Sequence, residues 1–147
     1  MAVSPITRHL VRQRARGLCE YCHADERWQF VRFTIDHINP QSAGGGDAPD
    51  NLALACRNCN ERRSDRCEAI DPETQKRVAI FDPRQQDWNH HFAWSSDKTH
   101  VVGITPVGRA TVMLLDMNDE RHGGIVVRVR QRDIHDGFHP PSDDPVL

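Results

Sequence analysis

The sequence predicts an α+β fold: a small α-β-β-α core with an N-terminal helix and a four-cysteine structural zinc site, followed by a smaller α/β extension. Two observations carry this expectation. Cys19-x-x-Cys22 and Cys56-x-x-Cys59 form two knuckles with 33 residues between them. A two-residue gap lets both thiolates of a pair turn toward one centre, and two pairs complete the tetrahedral all-sulfur shell that structural Zn2+ prefers. The second observation is a change of character near residue 67. Ten arginines face eight acids up to residue 66, whereas nine cations face thirteen acids beyond it, together with Trp88, Trp94 and a Pro- and Asp-rich end. The expected division is 1–70 for the metal-stapled domain, 71–138 for an extension packing on it, and 139–147 for a disordered tail.

The elements follow in order. Ser4-Pro5 reads as an N-cap followed by proline at the first helical position, and Ile6, Leu10, Val11, Ala15 and Leu18 recur at helical spacing toward the stop at Gly17. Phe30 to His37 is β-branched and aromatic, and Asn51 to Ala55 is a second short strand. The segment between them, rich in Gly, Pro, Asn and Asp, reads as a loop. A helix of two or three turns is expected to begin near Asn60. In the extension, His100 to Ile104 reads as a strand and Thr105-Pro106 as a cap. Val107 to Asp116 follows as a helix, and Ile125 to Ile134 forms the last one.

Composition narrows the class. With 147 residues, 6% aromatics and a mean hydropathy of −0.67, the core will be modest, so an internal staple would help. No apolar run approaches the ~20 residues needed to span a bilayer, and the first residues lack the apolar stretch of a signal peptide. No membrane partner and a cytoplasmic location are therefore expected. Five cysteines in a reducing compartment are poor disulfide material, which favours metal ligation. Two local disulfides, a redox Cys-x-x-Cys and an iron–sulfur cluster are the competing readings. Cys67 has no partner and is expected to be a buried or half-buried thiol.

Polar residues enclosed by the quartet carry the chemistry. Asp36 and His37 end an apolar strand and point to opposite faces. An acid that can ligate Mg2+ and an imidazole that can activate water are the parts a hydrolytic phosphodiesterase needs. Asn51 and Asn60 add two amides to the same frame.

The run CEYC…DHINPQSAGGGDAPDNLALACRNCNERRSD resembles the zinc-stabilised branch of the HNH endonucleases, whose active site is a ββα-metal fold. The similarity spans about residues 5 to 66. It implies a metal-dependent endonuclease that hydrolyses DNA phosphodiester bonds, with His37 as general base and Asp36 as a ligand of a catalytic Mg2+ or Mn2+. By the same resemblance Asn51 braces the loop between the strands and orients the histidine, and Asn60 is the second protein ligand. Arg63 occupies a position where many relatives carry a basic residue, and with Arg62 and Arg66 it is expected to contact the nucleic acid. The alternative for the three arginines is a solvated helix face.

The second half is similar to sequences that follow this module in one group of bacterial HNH proteins. The shared positions include Phe81-Asp82-Pro83-Arg84, Trp88, His91-Phe92, Trp94, Gly103-Ile104-Thr105 and Gly108-Arg109-Ala110-Thr111-Val112, with asparagine usual in place of Asp82. Trp88, Phe92 and Trp94 are expected to cover the nuclease core; alternatively Arg84, His91 and Arg109 line a DNA groove. The rival to a nuclease is a non-catalytic zinc module that binds nucleic acid or protein. Four thiolates around Zn2+ would cancel the small positive balance of residues 1 to 66, so DNA attraction is expected to be local, weak and salt-sensitive. Oligomeric state is left open by the sequence.

Overall fold

Five α-helices and three antiparallel strand pairs are found among the described residues, 3–147, of the computed structural model. They fall into two units. One runs to Cys67 and takes in Asp82–Gln85; the other holds Glu68–Phe81 and the chain from Gln86 onward. The short return at 82–85, placed in the extension by the sequence division, carries Arg84, whose guanidinium bonds the Glu20 carboxylate.

In the first unit α1 (Pro5–Arg14) begins as expected, with the Ser4 hydroxyl accepting from Thr7 N. Its inward face is narrower than the periodicity suggests. Val11 and Ala15 are buried, whereas Ile6 and Leu10 are exposed. Arginines supply the remaining attachment: Arg12 donates to Phe33 O, and Arg14 to Pro49 O and Leu52 O. β1 (Thr34–His37) pairs antiparallel with β2 (Leu52–Ala55), Thr34 opposite Ala55 and His37 opposite Leu52. The strand expected from Phe30 is therefore four residues shorter. Its partner offers only four positions, and Phe30 is left fully exposed.

α2 (Arg57–Arg63) starts three residues before the expected point, because Cys56 is its N-cap and its Sγ accepts from Cys59 N. Ser64, at φ 55°, ends it, so the long breaker-free run yields only a short helix. Past that end Cys67 is exposed, not buried.

The second unit contains β3 (Glu68–Ile70) paired with β4 (Arg77–Ala79), then α3 (Trp88–His91). Next come β5 (Phe92–Trp94) paired with β6 (Val101–Gly103), α4 (Pro106–Leu115) and α5 (Ile125–His135). Thr105 caps α4 by accepting from Gly108 N. Trp88, Phe92 and Trp94 pack on one another as the core of this unit, and Phe81 meets Phe92 edge-on. The three candidates for a DNA groove have structural partners instead. Arg109 forks onto both oxygens of Asp71, His91 Nδ1 meets Thr105 Oγ1, and Arg84 is committed to Glu20.

The last residues also depart from expectation. Trp94 N donates to Pro145 O, Leu147 N donates to Trp94 O, and the indole N–H reaches Asp144. Low hydropathy suggested disorder, but backbone pairing with the β5 edge does not depend on hydropathy. No helix is long and apolar enough to cross a membrane among the described residues.

α4 approaches its neighbours so closely that two glycines are obligatory. A Cβ on Gly108 would lie 2.0 Å from His91 O, and one on Gly103 would lie 2.4 Å from Arg109 N. Because backbone sits on the far side of each contact, Gly108→Ala is expected to cost about 1–3 kcal/mol, the usual range for overpacking. Chemical denaturation should show it as a lower midpoint with an unchanged slope.

Candidate functional site

The four cysteines converge. Their Sγ atoms all lie within 4.8 Å of one another, and those of Cys22 and Cys56 are 3.7 Å apart. A tetrahedron with Zn–S arms of ~2.3 Å has edges of about 3.8 Å, whereas a disulfide needs ~2.05 Å. None of the four is in a disulfide, and three are buried. Two tight turns aim them. Cys19 N donates to Ala24 O and His23 N to Cys19 O, with His23 at φ 60°; the other pair sits on the cap of α2. Burial pushes the Cys19 thiol well up, and at Cys59 the hydrogen bonds from the other three cysteines, then burial, do the same. Such a pocket holds thiolates only beside a cation, and the all-sulfur donor set suits structural Zn2+.

A buried polar cluster lies between the knuckles. The Asp36 carboxylate accepts through one oxygen, Oδ2, from Tyr21 Oη at 2.7 Å and from Arg63 Nη1 at 2.5 Å. Arg63 is 1% exposed and also donates to the carbonyls of His37, Ile38 and Arg66. Burial opposes its charge, but Tyr21 and Asp36 outweigh that and leave its pKa above the ordinary value. Burial also pushes the Tyr21 hydroxyl well up, and Asp36 adds to the effect. Arg63 therefore corrects the sequence expectation: it is neither a solvated face nor a free phosphate contact, but the clamp that joins α2 to the end of β1.

His37 lies on the opposite face of β1, half-buried, with Nε2 2.8 Å from Asp47 Oδ1. Asn51 fixes the loop between them. Its Oδ1 accepts from Asn39 N, and its Nδ2 donates to Asn39 O and to Gly46 O. Gly45 is required here, because a Cβ would fall 1.7 Å from Asn39 O. Sequence reasoning noted Asp47 within the Gly44-Gly45-Gly46-Asp47 run but gave it no role. The Gly-Gly-Gly-Asp run was legible only as loop composition, and the pairing across ten residues has no local signature.

Asn60 is half-buried on α2, which packs against β1. Among the described residues its side chain makes no hydrogen bond to Asp36 or His37. Arg66 is exposed and Arg62 half-buried. Tyr21 and Arg63 both bond Oδ2 of Asp36, and a carboxylate oxygen together with an amide oxygen is a hard donor type that Mg2+ or Mn2+ takes. In the second unit Asp116, Asp119 and His122 also bring ligand atoms within 4.8 Å of one another. Their carboxylates are engaged, Asp116 by Glu120 N and Arg121 N, and Asp119 by Ile125 N and Val126 N at the start of α5.

Two outcomes follow from the geometry. Arg63→Met strands a buried carboxylate and is expected to cost about 3–5 kcal/mol, against about 1–2 kcal/mol for Tyr21→Phe, which removes one of two donors. Equal losses in urea denaturation would mean that the guanidinium is not the main support. Elemental analysis should find one zinc per chain, and stripping it with a chelator should abolish cooperative unfolding of the first unit while the second still melts.

Among curated proteins no significant match to the chain was found. Residues 19–66, from the first cysteine to just beyond α2, match the family model described as HNH endonuclease. The four-cysteine cluster, the β1–β2 pair and α2 thus make up an HNH endonuclease domain within this chain.

Proposed function

We propose that the first unit hydrolyses DNA phosphodiester bonds with the help of one divalent cation. The observation that carries this reading is His37, held half-buried at the end of β1 by a carboxylate, with Asp36 beside it in the chain. Asp36 through Oδ1 and Asn60 through its amide oxygen would hold Mg2+ or Mn2+. When bound, the cation would neutralise charge developing on the phosphate and the leaving 3′-oxygen.

The chain's own residues do the rest. His37 takes the proton of the attacking water as that water approaches phosphorus. Asn51 keeps the intervening loop from moving under the imidazole, since it bonds backbone on both sides of the turn. Arg63 holds the His37 and Ile38 carbonyls, and so fixes the backbone from which the imidazole hangs. The four-cysteine zinc is structural, because four protein thiolates leave no position for water.

One observation favours the competing reading, a zinc module that binds without cutting. Arg63 neutralises the carboxylate that would hold the cation. A plasmid assay separates the two. Purified zinc-loaded chain with Mg2+ or Mn2+ is expected to nick supercoiled DNA, and His37→Ala to lower the rate by roughly 10²–10⁴-fold, the usual worth of a general base. Nicking that survives unchanged in folded His37→Ala would remove the assignment.

A further inference from the structure

We propose that Asp47 is the positioning residue for His37, fixing both the ring orientation and the tautomer that leaves Nδ1 as the proton acceptor. The proposal rests on the nuclease reading above and deepens it, by giving the carboxylate that holds His37 a role of its own.

Three independent features deliver Asp47 to the imidazole. Asn51 Nδ2 holds Gly46 O at 2.8 Å, which pins the residue immediately before Asp47. Gly45 lets the chain pass against Asn39 O where no side chain fits, and Gly44, at φ 90°, turns it there after the short helical turn Gln41–Ala43. Ile38 N donates to Asn51 O, so the loop is closed at its base, directly beside His37. Asp47 Oδ1 then lies 2.8 Å from Nε2. A carboxylate only accepts, so Nε2 carries the hydrogen and the lone pair is left on Nδ1. An imidazole without that partner would divide between two tautomers and rotate about its side-chain bonds, and only part of the population could serve as base.

A residue that merely stabilised the loop would alter folding, not the tautomer. The test therefore reads the ring. In the zinc-loaded full chain, the 15N shifts of the neutral His37 imidazole are expected to show the Nε2–H form, and Asp47→Asn, whose amide accepts only through an uncharged oxygen and can also donate to the ring, to move part of the population to Nδ1–H. With the same variant kcat is expected to fall roughly 10- to 100-fold with little change in KM, the range for loss of a group that orients a histidine. Asp47→Asn in a His37→Ala background is expected to change nothing further. An Nδ1–H ring in the wild type, or a ring unaltered by Asp47→Asn, would overturn the proposal, as would a further loss in the His37→Ala background. The two readings fail separately: Asp47→Asn nicking at the wild-type kcat removes the positioning role alone, while a wild-type chain with the Nε2–H ring that never nicks removes the nuclease.

Discussion

A single buried guanidinium organises the first unit. Arg63 satisfies one carboxylate and three backbone carbonyls from β1, the loop after it and the exit of α2. Removing an ion of this size from water costs several kcal/mol, and only a full set of acceptors repays it. α2 has seven residues, too few to be stable alone. It is held at both ends instead: Cys56 and Cys59 tie its start into the sulfur cluster, and Arg63 ties its end to the strand that carries His37. A helix this short can hold its place because both of its ends are anchored.

The same economy runs through the arginines. Arg12 and Arg14 bond loop carbonyls, Arg84 bonds Glu20, and in the second unit Arg109 grips Asp71 while Arg130 donates to Thr99 O and Met117 O. A planar fork suits such work better than an ammonium, and lysine occurs only twice in the chain. These cations are spent on architecture, so the arginine bias is not a measure of affinity for nucleic acid. On the nuclease reading, long-range attraction would rest on a few exposed side chains such as Arg66, and salt would screen it readily.

What could be read from the sequence was what is decided locally. The caps Ser4 and Thr105, each before proline, act on their own helices, and the cysteine spacing is fixed by knuckle turns, so these were found in place. Strand limits depend on a partner, and β1 therefore stops where β2 runs out. The β3–β4 hairpin was missed because each strand has only three residues and none is fully buried, and the polar loop between its strands is organised by Asp71 accepting from Glu73 N and Thr74 N. The aromatic trio was recognised as packing material but closes on itself in the second unit. At the site, resemblance pointed to Asn51, whose amide bonds the loop backbone at Asn39 and Gly46. Arg63 and Asp47 were not legible, because their roles depend on contacts across 27 and ten positions of chain.

The Asp36 carboxylate sets the electrostatic terms of the proposed chemistry. With Oδ2 given to Tyr21 and Arg63, its charge is already shared, and the motif supplies less negative potential than an unpaired acid would. Its neighbour on the other face of β1 is a neutral imidazole when it serves as base, and Asn60 brings no charge at all. A site so arranged would bind a bare divalent cation poorly, because Coulomb attraction to one half-neutralised carboxylate must offset dehydration. A phosphate oxygen changes that balance, since it brings the missing negative charge to the open coordination positions. On the nuclease reading, the buried Arg63 would thus suit a centre that is completed by its substrate, and it would restrain the cation from binding where no phosphodiester is present.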